Sequence, residues 1–552
     1  MASKRYTVSP WLFFIAFFGF VIFKLVEYHC FPDQRVLFQA QRQYWSRTPV
    51  RGVRGVIRDS RGNYLASSVP ASGFFIDPRY WSQSDAPALE GLIPDHIFRR
   101  ISGPLTGRYV RLFRRASAEV TERIRALNLA GVFEERVTRR VYHNGSLLSH
   151  VLGFSNADDH GQAGIELAWD SVLYRPSGYR IMIRQSGGRS LITGDDVAHT
   201  HTPSVTLTID ARIQYIVERH LNATASSHNA RWGAAVTINP NTGAVLAMAS
   251  WPTFDPNNRH ELANQGSIVN NVVGRVYEPG STFKTIYMGI AIEDGLVRKN
   301  EVFNTPATIR IADGTISEVF HRAMGRVTPS DILIRSSNVG MAKIGMRSRA
   351  VDMYRTLLNW GFGRVSDIEL SGVESGLIRS PSQWWGVIPA NISIGQGISV
   401  TPLQLTMAMG AVVNGGQLLS PFIVQEAVDS RGEVVYRGRR EVIRDVLTPE
   451  TSRWLRRTMR DTVLHGTGRQ ANSSITEISV KTGTAQVAER GVYVRGRYVS
   501  SIVGFWPYNN PQYLMLIVIG EPSGRTVFGG EVAAPAFRRI VEDMAGLGIF
   551  ES

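Results

Sequence analysis

Apolar and polar residues follow patterns that predict one apolar segment near the N-terminus and packed helices further along. The segment "WLFFIAFFGFVIF" runs from Trp11 to Phe23 without a charged residue. Much later, "LTIDARIQYIVERHL" places apolar residues at helical spacing after Asp210, a residue type that caps helix N-termini. Near the end of the chain, "AAPAFRRIVEDMAG" has the same spacing and predicts a final helix.

Two segments of the second half predict hairpins that share one sheet. "GAAVTINPNTGAVLAMAS" has two β runs about a turn at 239–243, and "SSIVGFWPYNNPQYLMLIVIGEP" has two more about a turn at 507–511. Strands therefore lie at both ends of this region with helices between them. The pattern predicts an α+β domain whose sheet joins distant parts of the chain.

The stretch from Asp33 to about Thr200 is arginine-rich and mixed in pattern. "GVI" and "NYLAS" flank a polar turn at 58–62 and predict a hairpin, and "GIELAWDSVL" follows a polar glycine loop with helical spacing from Ile165 to Leu173. None of its residues has the spacing of a catalytic site. We therefore interpret this half as an elongated spacer or docking module.

The N-terminal apolar run is short for a membrane-spanning helix of about 20 residues. It suffices if the helix extends from about Val8 to Val26, with the Lys24 ammonium reaching the interface. A cleaved signal peptide and a buried core helix are the alternatives, but no small-x-small cleavage site follows the run. Lys4 and Arg5 favour a cytoplasmic N-terminus. The predicted division is a cytoplasmic tail (1–10), a signal anchor (11–30), an N-terminal module (31–200) and a C-terminal domain (201–552).

Composition narrows the function classes. At 552 residues the chain exceeds one ordinary core, and 43% hydrophobic with 19% charged residues is typical of a globular protein. The net charge of +15 permits nucleic acid as a partner, but no recognition motif is present, so we predict no nucleic-acid binding. An anionic membrane surface or wall polymer explains this charge equally well. The single Cys30 excludes a disulfide framework and a multi-cysteine metal site.

Lysine is rare in this chain. Of the 61 lysines and arginines, only six are lysines, which leaves 55 arginines. Arginine stays protonated in proteins, whereas a desolvated lysine can lose its proton. A lysine in such a chain is therefore a candidate for proton transfer.

Three short elements combine hydroxyl, amide and lysine side chains. Ser281 and Lys284 lie one turn apart at a predicted helix start, and Ser336 and Asn338 lie where two predicted helices meet. The third element, 481–484, is a predicted strand whose edge can pair with an extended peptide. Taken singly, each has a structural explanation: an N-capping serine, a Ser/Asn cap and a strand end.

In this order, the elements resemble the S-x-x-K, S-x-N and K-T-G motifs of penicillin-binding proteins and serine β-lactamases. "YEPGSTFK", "SSNVGMAKIG", "ISIGQGISVTPLQL", "VKTGTAQV" and "GGEVAAPAF" resemble the transpeptidase domain of class B penicillin-binding proteins, and "RGVIRDSRGNYLASS" resembles their pedestal. Ser60 and "LYRPSGYR" depart from the usual pedestal wording. The resemblance implies an antiparallel sheet with helices on both sides, preceded by an elongated, dimerisation-like pedestal and one transmembrane helix.

The resemblance also implies catalytic roles. Ser281 would attack the carbonyl between the two terminal D-alanines of a peptidoglycan stem peptide, with Lys284 as base. Ser336 would pass a proton to the leaving amine. Asn338 would hold the substrate amide and position Lys284, and Lys481 would supply positive potential near Ser336.

The strand element would bind substrate. Thr482 and Thr484 would hold the terminal carboxylate, Gly483 would let the substrate backbone approach, and the N–H groups of Ser281 and Thr484 would form an oxyanion hole. No metal or organic cofactor is needed. The partners implied are D-Ala-D-Ala stem peptides, β-lactams as covalent inhibitors, the membrane, a membrane glycan polymerase and division proteins.

Three alternatives accompany this hypothesis. A β-lactamase shares the acylation chemistry, but the E-x-x-L-N wording of a deacylating site is absent, and "SGVESGLI" around Glu374 does not replace it. A scaffold with an idle site would recruit division partners only. Within the family, "YEPGSTFK" and "GISVTPLQL" favour the division enzyme over an elongation enzyme of the sidewall.

Overall fold

The fold is taken from a computed structural model of the chain. The described residues are 10–30, 45–50, 53–105, 107, 109–174, 178–184, 190–197, 201–258, 260–263, 266–312, 314–489 and 491–550. The predicted cytoplasmic tail (1–10) lies almost wholly outside them.

The α-helices of the described residues include those predicted after Asp210, after Ser281, on both sides of Ser336 and near the C-terminus, together with others that the sequence did not predict. They are α1 (Pro10–Cys30), α2 (Asp95–Ile101), α3 (Ala118–Leu127), α4 (Ser149–Leu152), α5 (Gly164–Ala168), α6 (Asp170–Leu173), α7 (Ala211–Ser227), α8 (Asn271–Gly274), α9 (Phe283–Glu293), α10 (Pro329–Ile334), α11 (Asn338–Gly345), α12 (Ala350–Asn359), α13 (Ile388–Ser393), α14 (Pro402–Val413), α15 (Pro449–His465), α16 (Gly529–Val532) and α17 (Ala534–Gly546). Asp210 caps α7 by accepting from the Arg212 N–H, as predicted.

The strands of the described residues include those of the three predicted hairpins, about the turns at 58–62, 239–243 and 507–511, together with others that the sequence did not predict. They are β1 (Trp45–Val50), β2 (Val56–Arg58), β3 (Tyr64–Ile76), β4 (Val110–Phe113), β5 (Val132–Tyr142), β6 (Gly178–Arg184), β7 (Ser190–Val197), β8 (Ser204–Leu207), β9 (Trp232–Ile238), β10 (Val245–Trp251), β11 (Phe303–Thr305), β12 (Thr308–Ile311), β13 (Gly314–Ser317), β14 (Gly325–Val327), β15 (Gln417–Leu419), β16 (Val424–Val428), β17 (Val434–Arg437), β18 (Val442–Asp445), β19 (Ser479–Glu489), β20 (Val492–Trp506) and β21 (Tyr513–Gly520).

A five-stranded antiparallel sheet forms the centre of the C-terminal domain, in the order β10-β9-β21-β20-β19. Side chains of successive residues alternate between two buried layers: Leu514 and Leu516 pack with α9 and α14, whereas Met515 and Ile517 pack with α7 and α17. The predicted sheet that joins distant segments, with helices on both sides, is therefore confirmed.

A second sheet contains strands from both predicted halves of the chain. Its order is β17-β16-β8-β2-β3-β4, and β5 pairs with β3 over eleven residue pairs. The predicted 58–62 hairpin is present as β2 and β3. Because β2 pairs in parallel with β8, the segments before and after residue 200 are joined by backbone hydrogen bonds.

The chain divides into two compact units: residues 1–53 with 175–201, and residues 54–174 with 202–552. The described part of the first unit has α1 and an antiparallel sheet in the order β1-β6-β7. Among the residues described, no helix is both long and apolar enough to cross a membrane. The domain boundaries given from sequence stay a prediction.

Candidate active site

Ser281 lies in a single 3-10 turn, Gly280–Thr282, directly before α9, and Lys284 follows in the first turn of that helix. Gly280 has φ = 55°, and a Cβ there would lie 3.0 Å from the Ala485 Cβ and 3.1 Å from the Thr484 oxygen. A glycine therefore allows the serine turn to lie against β19.

Ser336 and Asn338 lie at the junction between α10 and α11, as the sequence predicts. Ser336 has φ = 59°, a left-handed conformation that is uncommon for a residue with a side chain. Ser337 caps α11 by accepting from the Gly340 N–H. The junction is fixed further by Glu318, whose carboxylate accepts from the Ser337 hydroxyl and, at 2.8 Å, from the Asn338 N–H.

The K-T-G element lies on β19, which is the edge strand of the central sheet and pairs only with β20 among the described strands. A Cβ at Gly483 would lie 2.5 Å from the Ser501 Oγ and 2.9 Å from the Thr282 Cγ2. Glycine at this position therefore allows β19 to approach both its neighbour strand and the turn that carries Ser281.

The three elements meet at the Ser336 hydroxyl. Lys284 Nζ donates to the Asn338 Oδ1 at 2.6 Å, to the Ser336 carbonyl at 2.8 Å and to the Ser336 Oγ at 3.4 Å. Lys481 Nζ donates to the same Oγ at 3.1 Å and to the Thr482 carbonyl at 2.9 Å. Since both lone pairs of the Ser336 oxygen accept from lysines, its O–H proton is available to a further partner.

Both lysine side chains are fully buried, and the atoms that they contact are neutral oxygens. Burial lowers the pKa of Lys284 to about 7, and the Glu318 charge opposes this shift. Burial, together with the neighbouring Lys284 charge, lowers the pKa of Lys481 well below its ordinary value. The pair therefore holds fewer than two protons at neutral pH, so a lysine is available as a base.

A cleft of about 460 Å³ opens beside these groups. Six of the eight predicted site residues line it, while the two lysines lie buried in contact with Ser336; the six are Ser281, Ser336, Asn338, Thr482, Gly483 and Thr484. Sequence reasoning therefore identified residues that the fold brings together. Within the described ranges, no group of three His, Cys, Asp or Glu side chains has a metal-binding arrangement.

Sequence reasoning missed residues that hold the predicted ones in place. Thr467 Oγ1 hydrogen-bonds the Thr482 Oγ1 at 2.6 Å, and the Gly529 N–H donates to the Thr484 Oγ1 at 3.1 Å. Phe320 and Phe528 also line the cleft, with ring centroids 5.5 Å apart. Like Glu318, these residues lie outside the three motifs, although Gly529 begins the stretch "GGEVAAPAF" that carries part of the resemblance.

Comparisons with known proteins agree with this geometry. Residues 233–542 match the penicillin-binding protein transpeptidase domain, and residues 49–203 match the penicillin-binding protein dimerisation domain. Stage V sporulation protein D of Bacillus subtilis is 30% identical over 98% of this chain and 86% of its own length. The peptidoglycan D,D-transpeptidase FtsI of Escherichia coli is 31% identical over 88% of this chain and 82% of its own.

The fold is also that of solved relatives. The crystal structure of penicillin-binding protein 3 from Mycobacterium tuberculosis, complexed with aztreonam, matches with a TM-score of 0.70 and 25% identity. The match covers 92% of this chain and 98% of that one. With two domain matches, a 30% identical relative over nearly the whole chain and the motifs assembled in one cleft, this chain belongs to the penicillin-binding protein transpeptidase family.

Proposed function

We propose that the protein is a serine D,D-transpeptidase that cross-links peptidoglycan stem peptides through an acyl-enzyme. The observation that carries this proposal is the buried Lys284, whose lowered pKa allows a neutral amine beside the cleft that Ser281 lines. A serine hydroxyl is a weak nucleophile until a nearby base takes its proton. Relatives named peptidoglycan D,D-transpeptidase support the choice of substrate.

Acylation uses all three elements. Lys284 accepts the Ser281 proton, and the Ser281 oxygen forms a bond to the carbonyl carbon between the two terminal D-alanines. The C–N bond breaks, and the leaving D-alanine amine takes a proton through the Ser336 hydroxyl. The backbone N–H groups of Ser281 and Thr484 stabilise the oxyanion, an effect of about 3 kcal/mol per donor.

Transfer then releases the enzyme. The amine of a second stem peptide attacks the acyl ester, its proton returns through Ser336 and the lysine pair, and the Ser281 oxygen leaves as a hydroxyl. A peptide bond between two strands is the product. The substrate would lie along the free edge of β19, with its carboxylate at the hydroxyls of Thr482 and Thr484.

Covalent labelling of the full-length protein with a fluorescent penicillin tests this proposal. Ser281→Ala should slow acylation by roughly 10⁴ to 10⁶ while leaving the fold intact. Lys284→Arg should be nearly as inactive, because arginine keeps the charge and cannot act as a base. An adduct stable for hours supports a transpeptidase, rapid loss indicates β-lactam hydrolysis, and no adduct at all indicates a scaffold with an idle site.

We also propose that α1 anchors the protein in the cytoplasmic membrane with its N-terminus inside and the catalytic domain outside. The uncharged apolar run from Trp11 to Phe23 and the basic Lys4 and Arg5 before it support this proposal. The large apolar side chains from Trp11 to Phe23 are mostly exposed. Alkaline extraction of membranes, compared with a chain that starts at Asp33, tests the anchor.

For the cellular role we propose septal peptidoglycan synthesis beside a membrane glycan polymerase and division proteins. The relative named FtsI and the stretch "YEPGSTFK" favour this role. A second candidate, peptidoglycan synthesis during sporulation, is favoured by the relative named stage V sporulation protein D. Depletion should produce filaments without septa; rounded cells would indicate sidewall elongation, and a defect confined to spores would indicate sporulation.

A further inference from the structure

A cationic groove lies away from the active site, lined mainly by residues of the N-terminal module and also by Pro256, Asn257 and Leu262. Five arginines line it, on β4, directly after β4 and on β5, and its volume is about 890 Å³. They are Arg111, Arg114, Arg115, Arg139 and Arg140. No described residue that lines this arginine groove lines the active-site cleft, and no described lining residue is an aspartate or glutamate.

The positive charge of the arginine groove is only partly compensated. Arg114, Arg115 and Arg140 form ion pairs with acidic residues outside the lining. Arg139 is exposed, and its side chain makes no hydrogen bond or ion pair with any described residue. Arg111, also exposed, donates its Nε to the Tyr109 hydroxyl at 3.0 Å and forms no ion pair with an acidic residue in the described part of the chain. Two guanidinium groups are therefore available for an anionic ligand.

A third observation also indicates a missing acceptor. The Arg140 side chain is 97% buried, and its Nη2 is a buried nitrogen without a hydrogen-bond partner, although its Nε and Nη1 are both bonded. Buried guanidinium N–H groups in proteins normally have acceptors. The arginine groove thus combines two unpaired exposed cations with one buried donor that lacks an acceptor.

The lining chemistry favours a carboxylate-bearing polymer over a membrane. Arginine forks bind carboxylates in a bidentate manner, and a recessed cleft of one charge sign concentrates the field on a chain that enters it. A helix or loop that inserts into a lipid surface does so with exposed apolar side chains. None of the apolar residues that line the arginine groove is among the exposed large hydrophobic residues of the described chain.

We propose that the arginine groove is a non-catalytic docking site for the stem-peptide carboxylates of a peptidoglycan strand. The choice of this polymer rests on the function proposed above, because uncross-linked strands carry many carboxylates and are the material on which such an enzyme works. Strand docking would keep the polymer on the protein between successive cross-links, without any contribution to acylation of a small substrate.

The test measures strand binding with the active site blocked. Full-length protein is first acylated with penicillin, and binding of fluorescent, uncross-linked glycan strands with tetrapeptide stems is then measured at several salt concentrations. Arg111→Gln with Arg139→Gln removes the two unpaired cations. Arg439→Gln with Arg457→Gln is the matched control, since both arginines are exposed, lack described partners and lie outside the arginine groove.

The groove variant should bind strands at least tenfold more weakly than wild type, roughly the loss expected for charge-assisted hydrogen bonds. The control should stay within about twofold, and strands with amidated carboxylates should bind poorly to every form. Equal losses in both variants would show diffuse charge attraction and overturn the proposal. Binding of poly-glutamate or anionic vesicles through these arginines, without strand binding, would also overturn it.

Penicillin acylation of the same preparations separates this proposal from the proposed function. The groove variant should be acylated at the wild-type rate, because neither residue lies in the catalytic cleft. A wild-type protein that fails to acylate contradicts the proposed function, whatever the strand assay shows. If the protein is acylated normally and the groove variant binds strands as tightly as wild type, only the docking site is contradicted.

Discussion

Replacing Lys284 with methionine tests whether the buried amine is held neutral at a cost in stability. In the folded protein burial lowers the Lys284 pKa from 10.5 to about 7, whereas the unfolded chain keeps the ordinary value. At pH 7 the unfolded chain therefore binds this proton more tightly, which disfavours folding by about 4 kcal/mol at ~1.4 kcal/mol per pH unit. At pH 9 the same penalty is about 2 kcal/mol.

The direction in which stability changes with pH follows from the protons that the folded and unfolded states bind. Between pH 10.5 and about 7 the unfolded state takes up the proton first, so the wild type loses stability as pH falls through this window. The methionine of Lys284→Met does not titrate, so the variant does not lose this stability as pH falls. The stability of Lys284→Met relative to wild type should therefore fall by about 2 kcal/mol between pH 7 and pH 9. Loss of the contacts to Ser336 and Asn338 adds a pH-independent term, which cancels in this difference.

Urea unfolding at the two pH values, followed by tryptophan fluorescence, measures this difference, and penicillin labelling should show that the variant is inactive. Lys343→Met is the matched control, since it removes a partly exposed lysine whose side chain, among the described residues, bonds only the Asn304 carbonyl. Its stability should follow the wild type at both pH values. Parallel pH dependence for wild type and Lys284→Met would refute the neutral-lysine reasoning.

Three further predictions concern the same cleft. Penicillin acylation should rise with pH around 7 as Lys284 loses its proton, and a rate that is flat from pH 5 to 9 would exclude Lys284 as the base. Glu318→Gln should slow acylation by about tenfold, because it removes an acceptor beside Asn338. It should also move the pH-dependent increase in acylation rate to lower pH, because the Glu318 charge raises the Lys284 pKa. Gly483→Ala should destabilise the protein by about 1–3 kcal/mol and slow acylation, since its Cβ would lie 2.5 Å from the Ser501 Oγ; wild-type values in thermal unfolding and labelling would contradict this spacing argument.

The sequence allowed prediction of features whose physical cause is local. β runs on either side of polar turns identified the hairpins of the central sheet, and the Asp210 cap identified the start of α7. The grouping of the eight candidate residues was also predictable, because the three elements that carry them resemble, in the same order, motifs that form one site in penicillin-binding proteins. Eight predicted residues therefore occupy one site.

Features set by tertiary contacts could not be predicted in this way. Glu318 reaches Asn338 across 20 residues, and Thr467 reaches Thr482 across 15, through side chains that are common elsewhere in the chain. The predicted helical pattern after residue 163 is present as two short helices, because the turn at Trp169 interrupts it. The parallel pairing of β2 with β8 joins segments that are far apart in sequence, and no local pattern indicates it.

Buried arginine and buried lysine have different surroundings in this protein, and their pKa values shift in opposite directions. Arg54 is fully buried, and its guanidinium contacts the carboxylates of Glu166 at 2.5 Å and Asp170 at 2.6 Å. Burial opposes its charge, but these ion pairs outweigh burial and raise the Arg54 pKa, so the group stays protonated and fixes the fold. Lys284 and Lys481 are equally buried, yet they contact neutral oxygens, and the pKa of each is lowered. Burial thus leaves Arg54 charged beside its carboxylates and favours the neutral amine at Lys284 and Lys481, which is the property that the proposed base requires.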